Sequence, residues 1–362
     1  MATRSAPTID AAAQAQAWLA AYHAQAPRED VLSGPIDPAW AAMFAELAAI
    51  ASADLGHARE RVQRHAGGIG AGFRAGGAAR PWALSPIPLL ISAHEWAGIA
   101  AGVRQRAALL EAVLADLYGE QSLIAEGRLP AAVMAGSSQF LRQLVGLRPP
   151  GGRHLQCVAV DLARGPDGAW RVLADHLRAP VGLGRALENR LAVSGTLGGP
   201  GEAPHVQRHA PFFAQLRAGL AALCRRAEPR LALLTPGRSS PSHAEQAHLA
   251  RYLGLLLVEG ADLAALDRKL YIRTIGGLKR IDGLWSWTDP RLLDPLAFDN
   301  HSAIGVPALA DAWAAGELVL ANAPGAGVLE ARVFAAFLPA LAEPLTGAPL
   351  LLPNRATWWC GQ

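Results

Sequence analysis

Two aspartates stand out first. Asp161 and Asp175 lie fourteen residues apart on the two arms of a turn, Gly165-Pro166-Asp167-Gly168. Pro presets φ and Gly permits positive φ, so this is the clearest hairpin signal in the chain. A one-residue bulge in the turn would set the two carboxylates directly opposite, with Cβ atoms roughly 4.5–5.5 Å apart. Like charges that close repel unless a cation lies between them or one is protonated. Mg²⁺ suits such a pair, because it takes oxygen ligands and substrate phosphates together. The other reading is two strand-end acids neutralised by Arg164, Arg171 or Arg178.

A second candidate is Asn322-Ala323-Pro324-Gly325-Ala326-Gly327, set between an apolar strand pattern and a helical one. Its glycines would let backbone N–H groups approach an anion at a helix N-terminus, a phosphate or carboxylate cradle. A plain strand-to-helix loop is the competing reading. Thr235-Pro236-Gly237-Arg238-Ser239-Ser240 has the same setting with a weaker pattern. Asp289 to Asn300, with Asp294-Pro295 inside and Trp285 and Trp287 just before, reads equally as a binding loop or as a surface loop beside two core tryptophans. His243, His248 and His301 have no ligand spacing. The glycines between Gly67 and Gly77 lack both a preceding strand and the GxGxxG spacing, so they are expected to form a flexible loop.

The elements that must position these residues follow from periodicity. Residues 1–65 read as helix, with Trp40, Met43, Phe44 and Leu47 on one face and Asp37-Pro38 as a start signal. Residues 92–126 are helical, Leu109, Leu110, Val113, Leu114 and Leu117 forming a core stripe that Gly119 closes. Leu155–Asp161 and Ala169–Asp175 are the hairpin strands, and Gly184–Val193 a helix. The Gly/Pro-rich Gly195–Ala203 is the expected boundary. Beyond it strand and helix alternate: strands at Leu231–Thr235, Leu255–Glu259, Tyr271–Thr274, Arg280–Trp285 and Leu318–Ala321, helices at Ser242–Leu253 and Val328–Leu341. Such alternation predicts a parallel, Rossmann-like sheet. The expected division is a helical region over 1–80, helices plus the hairpin over 81–200, and the Rossmann-like domain over 201–362.

Composition narrows the classes. Of 362 residues 51% are hydrophobic and 17% charged, too apolar for a chain disordered as a whole. No uncharged apolar run reaches the roughly 18 residues of a membrane span, and the first residues show no signal-peptide core. The net charge is +3, with 31 of the 33 basic residues arginine. Nothing in that balance predicts a nucleic-acid-binding face. Three scattered cysteines fit a reduced cytoplasm and form no metal spacing. The expected location is therefore cytoplasmic, with neither nucleic acid nor membrane as partner.

Several segments in combination resemble the bacterial circularly permuted ATP-grasp proteins of type 2, relatives of glutathionylspermidine synthase. They are Glu95-Trp96, Gln105-Arg106-Ala107, Leu114-Ala115-Asp116-Leu117-Tyr118-Gly119, Asp161 through Gly168, Ala186-Leu187-Glu188-Asn189-Arg190, Leu249 through Gly254, Gly305-Val306-Pro307 and Ala356 through Gln362. The likeness runs from about residue 80 onward. It implies an α/β, ATP-grasp-like fold and a ligase that uses Mg²⁺ and ATP to activate a small-molecule or peptide carboxylate as an acyl phosphate for attack by an amine. It implies Asp161 and Asp175 as metal ligands, Asn189, Arg190 and Asp294 as catalytic residues, and Asn322, Gly325 and Gly327 as the substrate lining. The family usually carries Arg-Arg where this chain has Ser286-Trp287, and an Asp where it has Ser85. It also continues past the Trp-Trp-Cys-Gly region into a lysine-bearing nucleotide strand. The expectation is an incomplete ATP-grasp unit, its remaining segment supplied in cis or in trans. A relative without catalytic activity, serving as a scaffold or partner-binding subunit, is the alternative.

Overall fold

The computed structural model describes residues 10–25, 38–51, 55–68, 72–75, 78–81, 84, 88–165, 167–197 and 206–361. The chain divides into two compact units.

The first unit comprises Met1–Ser92, Pro166–Ala169 and Arg185–His209. Its helices are α1 (Ala11–Gln25), α2 (Pro38–Ala51) and α3 (Leu55–Gly68). Met43, Phe44 and Leu47, spaced at three and four, do share a buried face, with Ala15 and Ala48 against them and Trp40 alongside. The expected glycine loop is instead the end of α3 followed by an antiparallel hairpin, β1 (Gly72–Ala75) and β2 (Ala78–Pro81). With Phe73 as the one large apolar side chain in its two strands, the hairpin shows no apolar alternation. Gly70, Gly76, Gly77, Ser85 and positions 198–203 of the expected boundary lie outside the described residues.

The second unit opens with α4 (Ala93–Leu117), whose stripe Leu109, Leu110, Val113, Leu114 and Leu117 is fully buried. Short helices α5 (Ser122–Ala125) and α6 (Ala131–Ala135) follow. The hairpin strands are β3 (Ala159–Arg164) and β4 (Trp170–His176), each beginning later than its pattern suggests. Helix α7 (Leu183–Leu197) lies mostly in the first unit. Then come α8 (Ala210–Ala222), β5 (Leu231–Leu234), α9 (His243–Leu253), β6 (Leu256–Val258), β7 (Leu263–Leu266), β8 (Lys269–Thr274), β9 (Gly277–Ile281), β10 (Gly283–Ser286), α10 (Leu309–Ala314), β11 (Val319–Ala321) and α11 (Phe334–Thr346).

Four of these strands form a parallel sheet in the order β11-β10-β5-β6. Every residue of β5, β10 and β11 is buried, as expected of parallel strands covered on both faces. The expected strand Arg280–Trp285 is in fact two strands in different sheets. The chain turns at Asp282, whose carboxylate takes the backbone N–H of Arg230 at 2.8 Å and lies 3.1 Å from Arg280 Nε. A buried acid held by that N–H and by the charge of Arg280 stands where the antiparallel β7-β8-β9 sheet ends and the parallel one starts. The expected helix Val328–Leu341 is likewise two elements, a 3₁₀ turn over Ala326–Glu330 and then α11.

Candidate functional site

The hairpin was expected to carry the metal chemistry, and its register corrects that geometry. Val160 pairs with Asp175 and Asp161 with Ala174, and an irregularity follows between Asp161 and Leu162. Directly paired residues share a face and successive ones alternate. Asp161 and Asp175 therefore point to opposite faces of the ribbon. A bulge is present, but it lies beyond Asp161 and so does not bring the two carboxylates together.

Asp175 is buried and already holds a cation. Arg106 on α4 donates to it through Nε at 2.6 Å and Nη2 at 2.7 Å, a two-point ion pair with side chains 1% and 6% exposed. The remaining arm of Arg106 donates to Asn354 Oδ1 at 2.6 Å, and Asn354 Nδ2 donates to the Ala335 carbonyl. Asn354 also lies parallel to Val172, whose N–H and C=O bond Pro353 and Arg355, so this late segment lengthens the sheet beside β4. A cleft of about 20 Å³, room for about one water, opens here between Arg106, Asp175, Glu330, Arg332, Ala335 and Asn354. Of the arginines expected beside the aspartates, Arg164 faces Glu95 at 3.6 Å and Arg178 bonds Glu330 at 2.6 Å.

Asp161, on the other face, is exposed and lies 2.9 Å from His176 Nε2. Asp161 is the one ribbon carboxylate on this face, Asp175 being turned away and held by Arg106, so the carboxylate pair that would take Mg²⁺ together with substrate phosphates does not form. Among the described residues no three His, Cys, Asp or Glu side chains converge on a metal position. The hairpin residues thus do not fit a Mg²⁺ site. What the face does present is an exposed Asp–His pair, in which the carboxylate fixes the ring.

Asn322 sits at the end of β11, and its whole amide is engaged. Oδ1 accepts from Gln156 N at 2.6 Å and Cys157 N at 2.9 Å, while Nδ2 donates to the Cys157 and Leu177 carbonyls at 2.6 and 2.7 Å. It clamps the segments entering β3 and leaving β4. Gly325 has φ +85°, and a Cβ there would lie 2.1 Å from the Tyr118 hydroxyl, which donates to the Gly325 carbonyl at 3.0 Å. Gly327 packs so closely on Arg178 that a Cβ would meet its Cγ and Cδ at 2.5 Å. The glycines serve close packing, and Ala326 through Leu329 are buried. Asp294 is buried too. It accepts from Leu296 N, Ala308 N and Ala310 N at 2.9, 3.2 and 2.9 Å, and so closes its own loop onto the start of α10.

Asn189 and Arg190 lie on α7 in the first unit, where Arg190 donates to the Gln207 carbonyl at 2.7 Å. The second unit brings Asp175 and Asn322 onto the β3–β4 ribbon and places Asp294 apart from it at α10.

Arg106, Asn354 and Glu330 went unread as site residues. Arg106 had a signal: it precedes Leu109, Leu110 and Val113 by three, four and seven, and so lies on the buried stripe of α4. An arginine there needs a buried acid. Glu330 accepts from Leu177 N and Arg178 N at 2.6 and 2.7 Å, contacts that join residues some 150 apart and leave no local pattern.

Fold and sequence together define the class. The profile of the circularly permuted ATP-grasp type 2 family matches residues 88–362, and the chain belongs to that family. Among similar proteins, the uncharacterized Rv2567 of Mycobacterium tuberculosis is 38% identical over 283 residues, covering 78% of this chain and 32% of its own. ML0605 of Mycobacterium leprae is 32% identical over 331 residues, with coverages of 91% and 59%. The sll0335 protein of Synechocystis is 34% identical over 286 residues, with coverages of 78% and 60%. The chain thus spans about a third to three-fifths of the length of these relatives. A solved glutathione synthetase-like effector of Globodera pallida, in its apo form, superposes with a TM-score of 0.51 at 13% identity, covering 80% of this chain and 67% of that one. That likeness concerns the fold alone. Family membership suggests ATP-dependent, ligase-type function, and the ATP-grasp family generally uses ATP with Mg²⁺.

Proposed function

We propose that this chain is part of an ATP-dependent carboxylate–amine ligase that joins its substrates through an acyl phosphate. The observation that carries the reading is the unbroken family match over residues 88–362, which takes in the β3–β4 ribbon and the parallel sheet together. In this reading the chain's own residues supply architecture. Arg106 neutralises Asp175, and Asn322 locks the ribbon to the end of β11. No step is assigned to a metal on the ribbon, because the residues there do not fit one.

A second reading, a non-catalytic relative acting as a scaffold or partner-binding subunit, is favoured by one specific observation. Asp175, Asn322 and Asp294, three of the residues the family resemblance assigns to chemistry, spend their polar atoms on internal bonds. Thermal unfolding with and without millimolar Mg-ATP separates the two. A ligand that binds only the folded state stabilises it by about 2.7 kcal/mol at a hundred times its Kd. A raised Tm with ADP formation in a mixture of carboxylates and amines is expected of the ligase. An unchanged Tm and no ADP, from this chain and from the full natural polypeptide alike, would sink it in favour of the scaffold.

A further inference from the structure

The strand order of the parallel sheet reverses at β5. From β5 the chain runs through α9 to β6 on one side, whereas β10 and β11 lie on the other. Right-handed crossovers taken in opposite directions put α9 and α10 on opposite faces. The loops leaving the carboxyl ends of β5 and β10 then diverge, and open parallel sheets take their ligands in the crevice between such loops.

The loop after β5 is Thr235-Pro236-Gly237-Arg238-Ser239-Ser240. Thr235 Oγ1 donates to Gln246 Oε1 on α9 at 2.6 Å and accepts from Gly237 N at 3.1 Å, which fixes the loop's start. Ser240 N donates to the Gly237 carbonyl, so Arg238 and Ser239 form the exposed tip of a turn. Arg238 has no ion-pair partner among the described residues. Helix α9 follows, and no side chain caps its N-terminus.

The β10 side supplies two buried donors. Trp287 N donates to the Leu234 carbonyl at 2.9 Å, carrying the ladder one residue past the Ser286–Leu234 pair. Trp287 therefore stands beside Thr235 and shares its face, the face of α9. Trp285, two residues earlier, lies on the same face, its ring 5.7 Å from that of Trp287. Trp287 and Thr288 are only 7% and 5% exposed, yet Trp287 Nε1 and Thr288 Oγ1 bond nothing among the described residues. Buried polar groups are nearly always paired, and an indole N–H can only donate. A partner for it must bring an acceptor.

The charges narrow that partner. Asp289 is already taken by Arg291, with Arg178 close by. Glu259 lies against Gly237, where a Cβ would come 3.2 Å from its carboxylate. One free arginine beside that acid suits a single negative charge better than a doubly charged phosphate. A carboxylate offers one charge and two acceptor oxygens in the plane that a guanidinium matches. We propose that the crevice between β5 and β10 binds the carboxylate of a small molecule, held by Arg238 and the α9 N-terminus and by the Trp287 indole. The assignment involves no nucleotide and no residue of the β3–β4 ribbon, so it stands or falls apart from the ligase reading.

The test follows the indole N–H signals of the ¹⁵N-labelled chain, the Trp287 signal being the one missing from Trp287→Phe. Acetate, succinate and L-glutamate are titrated at constant ionic strength, with propionamide and inorganic phosphate as comparisons. At least one carboxylate should move the Trp287 signal saturably and raise the Tm. Arg238→Gln, at an exposed turn position, should keep the parent's Tm without ligand and lose about tenfold in affinity. Thermal shift of the parent against Arg238→Gln serves alone if Trp287→Phe does not fold. A Trp287 signal and a Tm indifferent to all three carboxylates, equal response to propionamide, tighter binding of phosphate, or unaltered affinity in Arg238→Gln would each overturn the assignment.

Discussion

At the scale of single residues, the Arg106–Asp175 pair decides what the ribbon can do. Both charges are out of water, so removing one partner strands the other, at a cost of about 3–5 kcal/mol. Arg106→Ala should lower the unfolding free energy read from urea denaturation by that amount, whereas the paired change Arg106→Met/Asp175→Leu should recover much of the loss. If the single variant is as stable as the parent, the pair is not buried as described. Glu111 makes a second prediction. Burial tends to raise its carboxyl, but the His154 side chain and the backbone N–H groups of His154 and Leu155 outweigh burial and pull it below 4.5. A carboxyl depressed in the folded state adds stability above its unfolded value, and that stability disappears as pH falls through the folded one. The Tm advantage of the parent over Glu111→Gln should therefore be full near neutrality and be lost in acid, as pH falls below the ordinary carboxyl value of 4.5 and through the lower folded one. Thiol chemistry gives a third. Burial pushes Cys157 up to about 11, and burial together with the Asp282 charge does the same for Cys224, whereas Cys360 is exposed. A thiolate-specific reagent at neutral pH should label Cys360 rapidly and the other two only on unfolding.

At the scale of elements, the hairpin and the α4 stripe were legible in the sequence because each is local. A Pro-Asp-Gly turn and a three-and-four repeat need no distant partner to be recognised. The register of that hairpin was not legible. One residue decides which face Asp161 takes, and the bulge between Asp161 and Leu162 has no signature in residue type. The β9–β10 junction escaped for a related reason, since apolar residues continue straight through Asp282 into a different sheet. The loop from Asn322 to Gly327 shows how a pattern can be read correctly and assigned the wrong work. Its glycines are required, but by Tyr118 and Arg178 packing against the backbone. Gly325→Ala meets both a positive φ and the Tyr118 hydroxyl, so it should cost more stability than Tyr118→Phe, which keeps the ring and forfeits two buried hydrogen bonds, to the Gly325 carbonyl and from the Leu141 N–H, each worth about 0.5–1.5 kcal/mol net. Chemical denaturation of the two variants compares them. Equal losses would mean that the loop can move off α4.

At the scale of the whole molecule, family membership was readable because many weak local matches agreed in order along the chain. No single segment carried it. The use to which each family position is put was not readable, because Asn322, Asp294 and Arg106 act through contacts with residues far away in sequence. The same long reach has a temporal meaning. Arg106 meets Asp175 across 69 residues but waits for Asn354 across 248. At a synthesis rate of roughly 5–20 residues per second, that last partner follows Arg106 by about 10–50 s. Through that interval one guanidinium arm stands open on the ribosome, joined by the outer edge of β4 once Trp170–His176 has been made. A nascent chain with an unoccupied strand edge is a substrate for chaperones, and the segment from Pro353 to Arg355 is the latch whose arrival ends that dependence.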